Sequence, residues 1–134
     1  MPAADPVITV VREWLAKADN DLTTAVHTLT LGEKCPTDTV CFHAQQCVEK
    51  YLKARLQEAG IAFAKTHSLP LLLNLVSGVE PLWVSLRSHL DRLNVYAIAF
   101  RYPGANASKA DAKQALADCT VMRREARLSF GLPL

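Results

Sequence analysis

The sequence predicts an all-α protein: an up-and-down four-helix bundle with an additional short helix. Three observations carry that expectation. The 134 residues are half hydrophobic yet only 7% aromatic, with five glycines, a mix rich in Ala and Leu that suits helices better than strands. Apolar residues recur at three- and four-residue spacing through most of the chain. No stretch alternates apolar and polar residues between hairpin turns. The length points to one domain, residues 1–134, able to bury a core without staples.

The first helix is marked by Asp5 as a cap and Pro6 in the first turn, and by Gly32 at its end. Val7, Val11, Trp14, Leu15, Ala18, Leu22, Ala25 and Leu29 form its apolar stripe. Arg12, Glu13, Asp19, Asn20 and Thr23 lie opposite, with Asp21 near the boundary. "KCPTDT" is a connector, with Thr37 or Asp38 as the cap of a second helix from about Thr39 to Ala59 that stops at Gly60. On that helix Val40, Ala44, Cys47, Val48, Tyr51, Leu52 and Ala59 share one broad side. His43, Gln46, Lys50, Lys53 and Gln57 share the other. Arg55 sits on the apolar side, where its stem can pack while its head reaches out.

"AFAKTHSLPLLLNLVSG" reads as a loop and a short helix, capped by Ser68, tolerant of Pro70 in its first turn and closed by Gly78. A further helix begins near Pro81, with Leu82, Leu86, Leu90, Leu93, Ala97 and Phe100 as its core stripe. Arg87, Asp91, Asn94 and Arg101 run beside that stripe. It must stop at "RYPG", because Pro103 pushes Tyr102 out of helical geometry. Ser108, with Asp111 three residues on, is a capping box for the last helix. That helix turns Ala112, Leu116, Cys119, Met122 and Ala126 inward and crowds Arg123, Arg124 and Arg127 into its last turns.

Composition narrows the function classes. "MPAADPVITV" lacks a basic region followed by an apolar core, and "LPLLLNLV" is far short of a membrane span. A cytoplasmic protein with no membrane partner is the expectation. Residues 1–80 carry seven Lys/Arg against nine Asp/Glu, and residues 81–134 carry eight against four. The basic C-terminal half permits a phosphate-bearing partner without demanding one. Cys35, Cys41, Cys47 and Cys119 contain no CxxC pair. Six-residue spacing turns a helix by about 240°, so Cys41 and Cys47 face different ways. His43 and Cys47 are four apart, but no second ligand pair accompanies them. No metal and no other cofactor is expected.

Four segments together resemble the HEPN family of small helical domains: "WLAKADNDLTTA", "FHAQQCVEKYLKARL", "THSL" and "LNVYAIAFRYPG". They spread from about Val11 to Arg127, and their order and spacing carry the likeness more than any one of them. The resemblance implies a bundle that often dimerises and acts beside a small nucleotidyltransferase encoded next to it, in some cases as a toxin–antitoxin pair. Some relatives are metal-independent ribonucleases that use an Arg followed four to six residues later by His. Arg101 matches the Arg, but no His occurs after His89.

The leading expectation is therefore a non-catalytic module that binds nucleotide or RNA phosphate as a homodimer beside a nucleotidyltransferase. The alternatives are a ribonuclease toxin with altered catalytic residues and a dimeric scaffold. The candidate ligand-binding residues are Arg101, Tyr102, His43 and Gln46; no catalytic residue is assigned. Arg101 offers a planar fork for phosphate and Tyr102 a stacking face. Arg101 can equally cap helix-end carbonyls or pair with Asp21 or Asp91. His43 and Gln46 sit at the start of the second helix, where His43 is either a ligand contact or a hydrogen-bonded packing residue. Lys50, Lys53 and Gln57 read as a solvated face. Trp14 and Trp83 read as core or dimer-interface anchors.

Overall fold

The computed structural model of the chain describes residues 5–98 and 103–134. The helices are α1 (Pro6–Leu29), α2 (Thr37–Glu58), α3 (Leu69–Val76), α4 (Arg87–Asn94) and α5 (Lys109–Phe130). Short 3-10 turns occupy Gly32–Lys34, Pro81–Leu86 and Val95–Ala97. No strand occurs among the described residues, and the all-α class holds.

Contacts between side chains set the helix directions. Asp19 meets Tyr51 while Asp21 meets His43 and Lys50, so α1 and α2 run antiparallel. Thr37 and Asp38 meet Ala107 at one end of the molecule, while Tyr51 meets Arg127 toward the other. Helices α2 and α5 therefore run parallel. The segment after α2 climbs back along it, so that His67 lies beside Glu49, and α3 then descends until Glu80 reaches Arg55. Helix α4 climbs again against α5. The four legs formed by α1, α2, the helical segment 81–97 and α5 alternate in direction, and α3 is the added short helix.

Local chemistry accounts for most boundaries. Asp5 accepts from Val7 N at 2.9 Å, with Pro6 in the first turn. Ser68 Oγ accepts from Leu71 N at 3.3 Å to start α3. The Ser108–Asp111 capping box is closed from both sides, by bonds of 3.0 and 2.8 Å. At the end of α2, Gly60 adopts φ +71°. Ile61 N then reaches Leu56 O and Gly60 N reaches Gln57 O, a turn that a residue with a Cβ resists.

Three expectations need correction. Neither Thr37 nor Asp38 caps α2, which starts after Pro36 without a side-chain cap. Their side chains are instead taken by the backbone of Ala107, at 2.6 Å each, clipping the loop before α5 onto the start of α2. The segment from Pro81 is not one continuous α-helix; it begins as a 3-10 turn. Three residues per turn aligns Trp83 with Leu86, so these two are buried and Leu82, assigned to the core by α-helical spacing, is 84% exposed. From Leu86 onward the stripe holds: Leu86, Leu90, Leu93 and Ala97 are buried, and Phe100 lies outside the described residues. Val7 is the third correction: assigned to the apolar stripe of α1, it is 44% exposed.

The core centres on α2, which packs against α1, α5, α3 and α4. Tyr51, Leu52, Leu56, Leu69, Leu72, Leu73, Leu90, Leu93 and Met122 are fully buried there. A central helix has no fully solvated face, and this geometry shapes the candidate site.

Candidate functional site

The polar row of α2 faces protein rather than open water. Asp21 on α1 is buried and receives two residues of the row. His43 Nδ1 lies 2.7 Å from its Oδ1, and Lys50 Nζ donates to its Oδ2. A carboxylate on Nδ1 fixes that nitrogen as the donor and leaves Nε2 as the outward-facing nitrogen of the ring. Phe42 packs edge-on against the same imidazole.

A second network follows one turn on. Glu49 is 3% exposed and receives Lys53 Nζ at 3.1 Å, His67 Nδ1 at 2.9 Å and Gln45 Nε2 at 3.3 Å. Gln45 also donates to the His67 carbonyl, so α2 holds the 65–68 segment by backbone and side chain together. Gln46 donates to Gln45 Oε1 at 2.6 Å and, at 3.4 Å, to Glu49 Oε1. The expectation of a solvated Lys53 is wrong. Its ammonium is buried, 5.6 Å from the Trp14 ring centroid and 5.9 Å from that of Phe63. Two aromatic faces offset part of the solvation it gives up.

Of the four candidate ligand residues, His43 and Gln46 therefore sit in neighbouring networks on successive turns of α2. Arg101 and Tyr102 lie outside the described residues. His67, held by Glu49 and Gln45, lines an open groove of about 570 Å³ together with Lys65, Thr66, Ser68, Asn94, Val95, Ala97 and Ile98.

Two polar clusters lie beyond the row. Asp19 accepts from Tyr51 Oη, Arg123 Nε and Arg127 Nη1, tying α1, α2 and α5. Burial, and then the hydrogen bond to Asp19, pushes the Tyr51 hydroxyl up to about 12. Between α4 and α5, Asp118 is 1% exposed. It takes a two-pronged contact from Arg92 (2.9 and 2.7 Å), His89 Nδ1 at 2.6 Å and Gln114 at 3.1 Å. Sequence reading missed Glu49 and Asp118. The signal available for each was an acid set among buried apolar neighbours, with a base at helical spacing in the case of Glu49 and Lys53.

Burial works to raise the Asp118 carboxyl, but hydrogen bonds from Arg92, His89 and Gln114 outweigh it and hold the carboxyl below its ordinary 3.8. A depressed folded-state value stabilises the protein above the ordinary value. That stability disappears as pH falls through the lower one. The window therefore lies below about pH 4. Urea unfolding at stepwise acid pH should show a shallower loss of stability for Asp118→Asn than for the parent. Identical acid limbs would refute this account.

Two of the thiols, Cys41 and Cys47, are not poised as nucleophiles. Burial pushes Cys41 up to about 12, and a hydrogen bond with Cys119, together with burial, raises Cys47 well above its ordinary value. Among the described residues, no group of three or more His, Cys, Asp or Glu converges as a metal-binding set, and no helix is long and apolar enough to cross a membrane.

A family model described as "HEPN domain" matches residues 11–127, so the chain belongs to the HEPN domain family. Its fold is similar to the crystal structure of an archaeal HEPN homologue, with a TM-score of 0.71 and 23% identity over 89% of this chain and 96% of that one. Among curated proteins, none matches the chain significantly.

Proposed function

We propose that this HEPN domain is a non-catalytic module that binds nucleotide or RNA phosphate and works in the cytoplasm beside a small nucleotidyltransferase, as in toxin–antitoxin-like pairs. The single observation that supports binding most is a pair of anchored histidines, His43 on α2 and His67 beside it. Both are anchored through Nδ1 by a buried carboxylate, which leaves two Nε2 atoms without a hydrogen bond to the described residues. Such anchoring preorganises a polar contact so that little is lost on ordering it when a ligand binds. Arg101, His43 and Gln46 are proposed to supply the charged fork and orienting bonds of that contact, and Tyr102 its stacking face.

The isolated chain departs from the Arg-then-His pattern of its ribonuclease relatives. No His follows Arg101, which removes the natural proton carrier from that position. Pure protein incubated with total RNA should leave it intact while retarding it in gels. Specific cleavage abolished by Arg101→Ala would overturn the reading in favour of a ribonuclease.

A homodimer belongs to the same proposal. The start of α1 and the end of α5 meet in one apolar face, where Val7, Ile8, Val11 and Leu15 adjoin Phe130 and Leu132. Val7 and Ile8 remain 44% and 50% exposed there, apolar surface that a second copy would cover.

A further inference from the structure

We propose that the groove between the 65–68 segment and residues 94–98 is a binding site for a phosphorylated ribonucleoside, with His67 and Lys65 contacting its polar end and Val95, Ala97 and Ile98 covering its base. This rests on the nucleotide- or RNA-binding reading above and extends it to a surface beyond His43 and Gln46.

The groove has a polar end and an apolar wall, and its volume of about 570 Å³ falls within the usual range for small-molecule sites. Val95 and Ile98 are 49% and 59% exposed, and Ala97 is buried beside them, so apolar side chains are offered to solvent along one wall. A nucleobase is a ligand fragment that can cover such a wall, and the polar end then fits the ribose and phosphate attached to it.

The polar end is specified more closely by which donors are already used. A phosphate near the start of α3 would ordinarily be expected to bind the free backbone N–H groups there. Here Leu69 N donates to Asn94 Oδ1 at 3.0 Å, Leu71 N donates to Ser68 Oγ, Pro70 has no N–H, and Leu72 N donates to Ser68 O. The helix end is satisfied internally. An anion in this groove must therefore be held by side chains.

Three side chains are available. His67 Nδ1 is held by Glu49, itself fixed by Lys53, Gln45 and Gln46, and the His67 side chain is 57% exposed. Its Nε2 makes no hydrogen bond to the described residues. In the neutral ring that nitrogen accepts, as from a ribose hydroxyl; in the protonated ring it donates, as to a phosphate oxygen. Lys65 is exposed and has no ion pair or hydrogen bond to the described residues. Thr66 Oγ1 accepts from Ser68 N at 3.1 Å, which leaves its O–H free to donate outward. A buried carboxylate holding an exposed histidine at the edge of an apolar wall is more organised than surface solvation needs.

The test is calorimetric titration of the full chain with adenosine 5′-monophosphate, adenosine, inorganic phosphate and a short single-stranded oligoribonucleotide. Parent, His67→Ala, Ile98→Glu and His27→Ala proteins are compared after melts confirm folding. His67→Ala should weaken the phosphorylated ligands by about tenfold or more, the scale of one hydrogen bond to a charged group. Ile98→Glu should abolish binding by placing a carboxylate against the wall, and His27→Ala, which does not line the groove, should match the parent. The His67 imidazole nitrogen resonances should shift on saturation with the mononucleotide, which a purely structural histidine would not show.

Binding of the mononucleotide alone identifies the ligand as a free nucleotide, and binding of the oligoribonucleotide alone identifies it as an RNA strand; either supports the site if both groove variants weaken it. Parent-like affinity in His67→Ala and Ile98→Glu overturns the groove while leaving the nucleotide-binding reading intact. Absence of binding by the parent to every phosphorylated probe overturns both.

Discussion

Glu49→Ala is expected to destabilise the protein by about 3–5 kcal/mol, the cost of leaving one partner of a buried ion pair behind. Lys53 would remain at 7% exposure between the Trp14 and Phe63 rings with no counter-ion left among the described residues, while His67 and Gln45 would each lose an acceptor. The ion pair itself need not be a net stabiliser, because desolvating two charges offsets much of their attraction. The double variant Glu49→Leu/Lys53→Met separates these terms. It removes both charges at similar volume, so it should recover most of the loss. Urea midpoints of the parent, the single and the double variants give the comparison. A double variant as unstable as Glu49→Ala would show that the polar connections to His67 and Gln45, rather than the stranded charge, dominate.

That network also shows what the sequence could and could not reveal. Boundaries set by residues next to one another in the chain were legible: Asp5 with Pro6, Ser68 with Pro70, Gly60 and the Ser108–Asp111 box all act within a few residues. Such signals are local backbone chemistry and need no tertiary knowledge. The environment of α2 was not legible in the same way. Helical periodicity sorts residues into two faces, and it assigned Lys50 and Lys53 to water on the premise that one face of a helix is wet. The premise fails for a helix surrounded by α1, α5, α3 and α4, because the polar face is then covered by acids and aromatic rings from distant parts of the chain. Asp21 and Trp14 on α1, and Phe63 and His67 beyond α2, supply that cover, and spacing along α2 carries no trace of them.

The candidate site divides along the same line. His43 and Gln46 were found through a local motif, and the structure places them on adjacent turns but in separate networks, with Asp21 and Glu49 as their respective acids. Asp118, buried by α4 against α5, shows in the sequence only as an acid among apolar neighbours, because its charged partners His89 and Arg92 lie more than twenty residues away. Leu82 failed for a different reason. Its α-helical spacing was sound, but Pro81 starts a 3-10 turn, and a change from 3.6 to 3.0 residues per turn moves the buried position by one residue, to Trp83.

That shift makes Trp83→Ala the second large effect, an expected loss of about 3–5 kcal/mol, as for other buried Phe or Trp truncations. Trp83 is 4% exposed within a single chain and belongs to the core cluster with Leu72, Leu73, Leu86 and Leu90. Sequence alone left it as either a core residue or a dimer-interface anchor, and the two roles respond differently to protein concentration. A residue buried within one chain destabilises by an amount independent of concentration. An anchor buried only between chains makes the loss, and the melting temperature, depend on concentration through the association equilibrium. Thermal melts of Trp83→Ala and of Ile8→Glu across a hundredfold concentration range tell these apart. The Trp83 variant should melt lower by a constant interval at every concentration. Ile8→Glu, in the exposed apolar face proposed to dimerise, should instead lose the parent's concentration dependence and elute as a monomer. A concentration-dependent deficit for Trp83→Ala would move the dimer contact to the α3–α4 corner, where Leu82 stands exposed beside it, and away from the start of α1.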